Sequence, residues 1–113
     1  MHEISLAQGI IKTAEDTLKQ ENAKEVLTIT VRMGPMSGVV RESLEFCFPL
    51  ITKDTPFEKT KLIIETLPLK LECKSCKEIT EIQKINLKCP HCQSSEVHLI
   101  SGKEFYIANM EIN

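Results

Sequence analysis

Apolar residues recur at helical spacing over residues 4–21. Ile4, Ala7, Ile10, Ile11, Ala14 and Leu18 share one face, opposite Lys12, Glu15, Asp16 and Lys19, which predicts an amphipathic helix. Ser5, followed three residues later by Gln8, matches a capping box, and Asn22 is a natural stop. Over 25–33 the period changes to two. Leu27, Ile29, Val31 and Met33 fall on one side and Thr28, Thr30 and Arg32 on the other, a strand with one covered face. Gly34-Pro35-Met36-Ser37-Gly38 then interrupts the chain. A second helix starts near Val40, with Val40, Leu44, Cys47, Phe48 and Ile51 along its inner stripe. Pro49 is expected to kink or end it near Phe48, because the ring removes a hydrogen bond and clashes one turn back.

Residues 61–67 form a further β-like run (Leu62, Ile63, Ile64, Leu67) ended by Pro68, and Leu69 and Leu71 alternate toward Cys73. A polar, strand-like stretch follows Cys76. Val97, Leu99 and Ile100 make a short strand, Ser101-Gly102 a turn, and 104–112 alternates again, with Phe105 and Ile107 opposite Tyr106, Ala108, Met110 and Ile112. The expected fold is therefore α+β: a small three-stranded sheet with two helices on one face, interrupted before its last strand by a cysteine-bearing ribbon. The expected division is one domain of residues 1–69 with 103–113, and a ribbon domain of residues 70–102.

With 113 residues, 42% hydrophobic and 27% charged, the chain has ordinary globular values and enough length for one domain with a smaller appendage. No apolar run approaches the ~18 residues of a membrane span, and the start lacks the basic flank and apolar stretch of a secretory signal. A cytoplasmic location is the expectation. A formal net charge of −2 gives no global attraction to nucleic acid or anionic lipid.

The cysteines narrow the chemistry. Four of the five form two Cys-x-x-Cys pairs, Cys73/Cys76 and Cys89/Cys92, and the fifth, Cys47, lies on the buried stripe of the second helix as a small core residue. An odd total without an export signal argues against a disulfide framework. Two pairs separated by a dozen residues suit a single tetrahedral Zn(II) with four thiolate ligands and no vacancy. A redox dithiol would need only one pair, in a strand–helix setting. Lys77 and Gln93 follow the second cysteine of each pair, where such knuckles often carry glycine. A left-handed backbone there costs roughly 1–2 kcal/mol per residue, little beside the ~10–16 kcal/mol of structural zinc binding.

Between Lys70 and Lys103, six lysines against four glutamates leave a net +2, which the −2 of a zinc tetrathiolate cancels. The same stretch has no arginine and no aromatic ring, so neither phosphate attraction nor base stacking is provided for.

Met1-His2-Glu3 offers a different kind of ligand set. At a free amino terminus the α-amine, the deprotonated His2 amide and the His2 imidazole close five- and six-membered chelate rings in one plane. That field favours Ni(II) or Cu(II) over tetrahedral Zn(II). Retention of Met1 is expected, since its removal normally requires a small second residue. A fourth position stays open for Glu3, another histidine or a partner's ligand. From residue chemistry alone, a frayed and solvated His2 is the commoner state of such a side chain, and the chelate stands as the alternative. Of the other histidines, His91 is expected to point to solvent, and His98 is a candidate extra nickel ligand if the ribbon folds toward the terminus. No catalytic residue is assigned, because no histidine is paired with a nucleophile motif.

Taken together, Met1-His2-Glu3-Ile4-Ser5-Leu6, Gly34-Pro35-Met36-Ser37-Gly38-Val39, the paired cysteines at 73/76 and 89/92, and Gly102-Lys103-Glu104-Phe105 resemble the HypA family of nickel metallochaperones, in register along essentially the whole chain. The resemblance implies that His2 is a nickel ligand with Met1 and Glu3 contributing, and that Cys73, Cys76, Cys89 and Cys92 hold structural zinc. It also implies a nickel-handling GTPase and the hydrogenase large-subunit precursor as partners, with urease accessory proteins as further clients. Lys77, Gln93 and Pro49 depart from the family pattern. The competing expectation is a zinc-ribbon adaptor that binds only other proteins and transfers no nickel.

Overall fold

The computed structural model of the protein describes residues 2–83 and 88–113, with the backbone alone at residue 2. Its elements run α1 (His2–Glu21), β1 (Val26–Met33), α2 (Arg41–Thr52), β2 (Lys61–Thr66), β3 (Leu69–Cys73), β4 (Ile79–Ile82), β5 (Val97–Ser101) and β6 (Phe105–Ile112). They form two three-stranded sheets, ordered β2-β1-β6 and β4-β3-β5.

The chain divides into two compact units. The first comprises residues 1–32, 39–65 and 106–113; the second comprises 33–38 and 66–105. The expected ribbon of 70–102 is thus extended at both ends and joined by the Gly34–Gly38 loop. Backbone bonding explains the difference. Gly34 N–H donates to Glu104 O at 2.8 Å, Met36 N–H to Gly102 O at 2.7 Å, and Leu67 N–H to Met33 O at 2.8 Å. A side chain at Gly34 would collide with the Gly102 carbonyl, so only glycine permits this approach.

In the first unit, α1 packs on α2. The predicted stripe of α1 is realised at Ala7, Ile10 and Ala14, all buried, whereas Ile4 is exposed. The expected capping box is not formed: α1 begins at His2, so Ser5 already lies within the helix. Glu3 occupies the acidic first turn instead, where a carboxylate complements the helix dipole. The far end stops as expected. Asn22 takes a left-handed φ of 51°, and Ala23 N–H reaches back to Leu18 O at 3.0 Å, which satisfies an end carbonyl.

β1 is the central strand of its sheet. Ile29, Val31 and Met33 are buried as predicted, but Thr30 is buried too and Leu27 is exposed. Burial along the strand, which includes Val26 at its start, departs from strict alternation. Thr60 Oγ1 donates to Val26 O at 2.7 Å near one end of the β1–β2 pair, and Leu67 bonds Met33 near the other. The equal offset makes this pair parallel, joined through α2. β6 runs the opposite way along β1, since Asn113 pairs with Glu25 and Glu104 with Gly34.

Pro49 does not end α2 near Phe48; the helix continues to Thr52. The ring removes a donor to the Glu45 carbonyl, but Glu45 and Pro49 both lie on the exposed side, where water takes that bond. Thr52 Oγ1 then ties back to Phe48 O at 3.0 Å. Leu44, Cys47 and Phe48 form the buried stripe, while Val40 is exposed. Cys47 is a free, buried core thiol.

Candidate metal centre

The second unit brings four sulfurs together by simple means. β3 pairs antiparallel with β4 and β5, Glu72 lying opposite Ile79 on one side and His98 on the other. Cys73 is the last residue of β3, so the chain turns there. Lys77 N–H returns to Cys73 O at 2.9 Å and Cys73 N–H bonds Glu78 O at 3.0 Å, closing the first knuckle. The second repeats the pattern: Gln93 N–H bonds Cys89 O at 2.9 Å, and Cys89 N–H bonds Ser94 O at 2.9 Å. Both turns need one left-handed residue, and both take it without glycine, at Lys77 (φ 67°) and Gln93 (φ 63°). The Ser75 and Ser94 hydroxyls, 2.9 Å apart, link the two knuckles.

The ligand atoms of Cys73, Cys76, Cys89 and Cys92 all lie within 4.8 Å of one another. The Cys73–Cys92 and Cys76–Cys89 sulfur pairs are each 3.6 Å apart. That is far beyond a disulfide and close to the ~3.8 Å edge of a tetrahedron with Zn–S bonds of about 2.3 Å. Backbone amides point at the sulfurs, Cys76 N–H to Cys73 Sγ and His91 N–H to Cys89 Sγ, both at 3.4 Å. Such donors offset the negative charge of a tetrathiolate. Four soft donors at this spacing fit Zn(II), held with no open position.

The thiols differ in acidity in a way that crowding explains. The Cys76 amide, helped by Cys92, brings Cys73 down to about 6 against the pull of burial. At Cys76 the Glu78 amide favours the thiolate, yet burial and the protons shared with Cys89, Cys73 and Cys92 push it up to about 12. Cys92 is raised as well, the Ser94 amide being outweighed by burial and by Cys73. One thiol ionises easily and its neighbours then resist. A divalent cation removes that resistance, and its binding releases protons.

The remaining sequence candidates fall elsewhere. His91 is exposed. His98, on β5, places Nε2 3.2 Å from Glu72 Oε1 across the β3–β5 pair, an engagement that the strand register sets and the sequence did not signal. Glu3 is buried, with 8% of its surface exposed. Its Oε2 accepts the Val40 backbone N–H at 3.2 Å, a contact between segments 37 residues apart that no local pattern announces. Met1 and the His2 side chain lie outside the described residues. No helix among the described residues is long and apolar enough to cross a membrane.

A family model described as HypA, hydrogenase/urease nickel incorporation, metallochaperone, matches residues 1–112. The hydrogenase maturation factor HypA of Aquifex aeolicus is 35% identical over 112 residues, covering 99% of this chain and 97% of its own. That of Geobacter metallireducens is 34% identical over 112 residues, covering 99% of each chain. Among solved structures, the solution structure of the Ni metallochaperone HypA from Helicobacter pylori superimposes with a TM-score of 0.67 at 21% identity, covering 97% of this chain and 96% of that one. A second solution structure of a HypA protein gives 0.76 at 23%, covering 100% and 97%. At these identities the two structures show a shared fold.

Proposed function

The chain belongs to the HypA family of hydrogenase/urease nickel-incorporation metallochaperones, and on that premise we propose that it carries Ni(II) on Met1-His2-Glu3 and yields it during [NiFe]-hydrogenase maturation. The observation that supports this most is the full-length family match joined to a separate four-sulfur cluster. Cys73, Cys76, Cys89 and Cys92 are the ligands of the structural Zn(II). Nickel handling falls to the unit of residues 1–32, 39–65 and 106–113, and zinc binding to the ribbon unit of 33–38 and 66–105. The protein is not an enzyme. It works in the cytoplasm with a nickel-handling GTPase and the hydrogenase large-subunit precursor, and urease accessory proteins are further clients.

The chemistry follows from the donors. The Met1 amine, the His2 amide and the His2 imidazole supply three nitrogens to the cargo ion. Because α1 opens at His2, the first-turn N–H groups have no carbonyl one turn back. Losing the His2 amide proton to the metal therefore breaks no helix hydrogen bond, and the positive end of the helix dipole favours the anionic nitrogen. The fourth position is open to an acceptor's ligand, which permits release by ligand exchange.

Protons compete with the cargo for every one of these nitrogens. A free α-amine titrates near ~7.7–8.0 and a free imidazole near ~6.5, so nickel affinity should fall as pH drops below about 7. Titration calorimetry on untagged protein at about pH 8 and about pH 6 checks this, and equal affinities contradict amide coordination. His2→Ala or an extension ahead of Met1 abolishes nickel binding in equilibrium dialysis while zinc stays bound. An extended protein that binds nickel normally places the site elsewhere and leaves the adaptor reading.

A further inference from the structure

We infer that the Glu3 carboxylate is a strut that holds the nickel-bearing terminus against α2, and is a positioning group rather than a nickel ligand; the inference rests on the nickel reading above. α2 begins without a cap of its own. Its N-cap residue is Val40, extended at φ −90° and ψ 113°, with no side-chain cap hydrogen bond. Helix starts are commonly closed by a Glu or Gln three residues past the N-cap, reaching back to the N-cap N–H. In α2 that place is taken by Ser43, too short for the task. Glu3 of α1 supplies the missing carboxylate from across the fold, accepting the Val40 N–H at 3.2 Å.

The contact is sheltered, since Glu3 is only 8% exposed, and α1 and α2 pack together around it. A carboxylate there lies at the first turn of both helices, where the free N–H groups and the helix dipoles favour negative charge. Moving it outward to a metal would leave the Val40 N–H without its acceptor. The Glu3 carboxylate is thus already engaged within its own unit.

The gain for nickel handling is order at the right place. Glu3 follows His2 directly, so fixing it fixes the backbone from which the His2 ring and the Met1 amine extend. Without the strut the first turn frays, and chelation must reorder it. Ordering one residue's backbone is equivalent to about tenfold in affinity.

Two variants separate strut from ligand. Glu3→Gln keeps an oxygen that can accept the Val40 N–H but removes the carboxylate; Glu3→Ala removes both. Nickel competition titrations and visible absorption spectra on untagged protein, with zinc content and Val40 amide exchange by NMR as controls, give the answer. We expect Glu3→Gln to bind nickel within about threefold of the parent, with the same spectrum and a protected Val40 amide. Glu3→Ala should bind about tenfold more weakly, with that amide exchanging freely and zinc content unchanged. Equal losses in both variants with a shifted spectrum make the carboxylate a ligand and overturn the inference. Parent-like affinity in Glu3→Ala also overturns it. Nickel retained by His2→Ala is a different failure, that of the terminal site itself.

Discussion

Lys77 and Gln93 carry much of the story at the residue scale. Each sits at a left-handed φ in a knuckle turn, the conformation glycine adopts without steric penalty. Lys77→Gly and Gln93→Gly should each tighten the zinc-bound fold by up to about 1 kcal/mol, read as greater resistance to a chromophoric chelator. A weaker site in either variant would mean that the lysine or glutamine side chain contributes something the backbone argument omits. The need for a left-handed residue was readable from cysteine spacing alone. The tie from Glu3 to Val40 was not, because its partners lie 37 residues apart and no local pattern links them. The pairing of His98 with Glu72 escaped for the same reason: strand register is a tertiary property.

At the scale of elements, periodicity located both helices and the strands, but it misjudged how they end and what they bury. The helical pattern over 4–21, with Ser5 and Gln8 resembling a cap, starts α1 too late: Glu3 and its distant partner anchor a turn starting at His2. Pro49 costs α2 a hydrogen bond, yet the helix runs past it to Thr52, Glu45 and Pro49 both being exposed. Alternation on β1 places Leu27 inside and Thr30 outside, the reverse of their burial; β1 is the central strand of its sheet, and alternation does not register which of its positions neighbouring elements cover. These distinctions predict a sharp contrast within α2. Leu44 is fully buried and Leu50 is 63% exposed. Leu44→Ala should cost about 2–5 kcal/mol in denaturant unfolding, and Leu50→Ala within about 0.5 kcal/mol. Similar losses at both positions would contradict the packing described.

For the whole molecule, the two metals are held on opposite principles. Four sulfurs within 4.8 Å, leaving no ligand position open, suit an ion that stays; on the proposed reading, a chain terminus with an open coordination position suits one that leaves. Crowding also makes the sulfur cluster sensitive to acid. Protons compete with zinc for the thiolates, so acidification should release zinc, read with a chromophoric chelator as pH is lowered from neutral; zinc held unchanged in acid would contradict this. The most direct test is parallel zinc and nickel stoichiometry on the untagged protein and on His2→Ala. The account predicts about one zinc per chain in both proteins, with nickel bound to the parent and absent from the variant. Nickel bound equally by the two would contradict it.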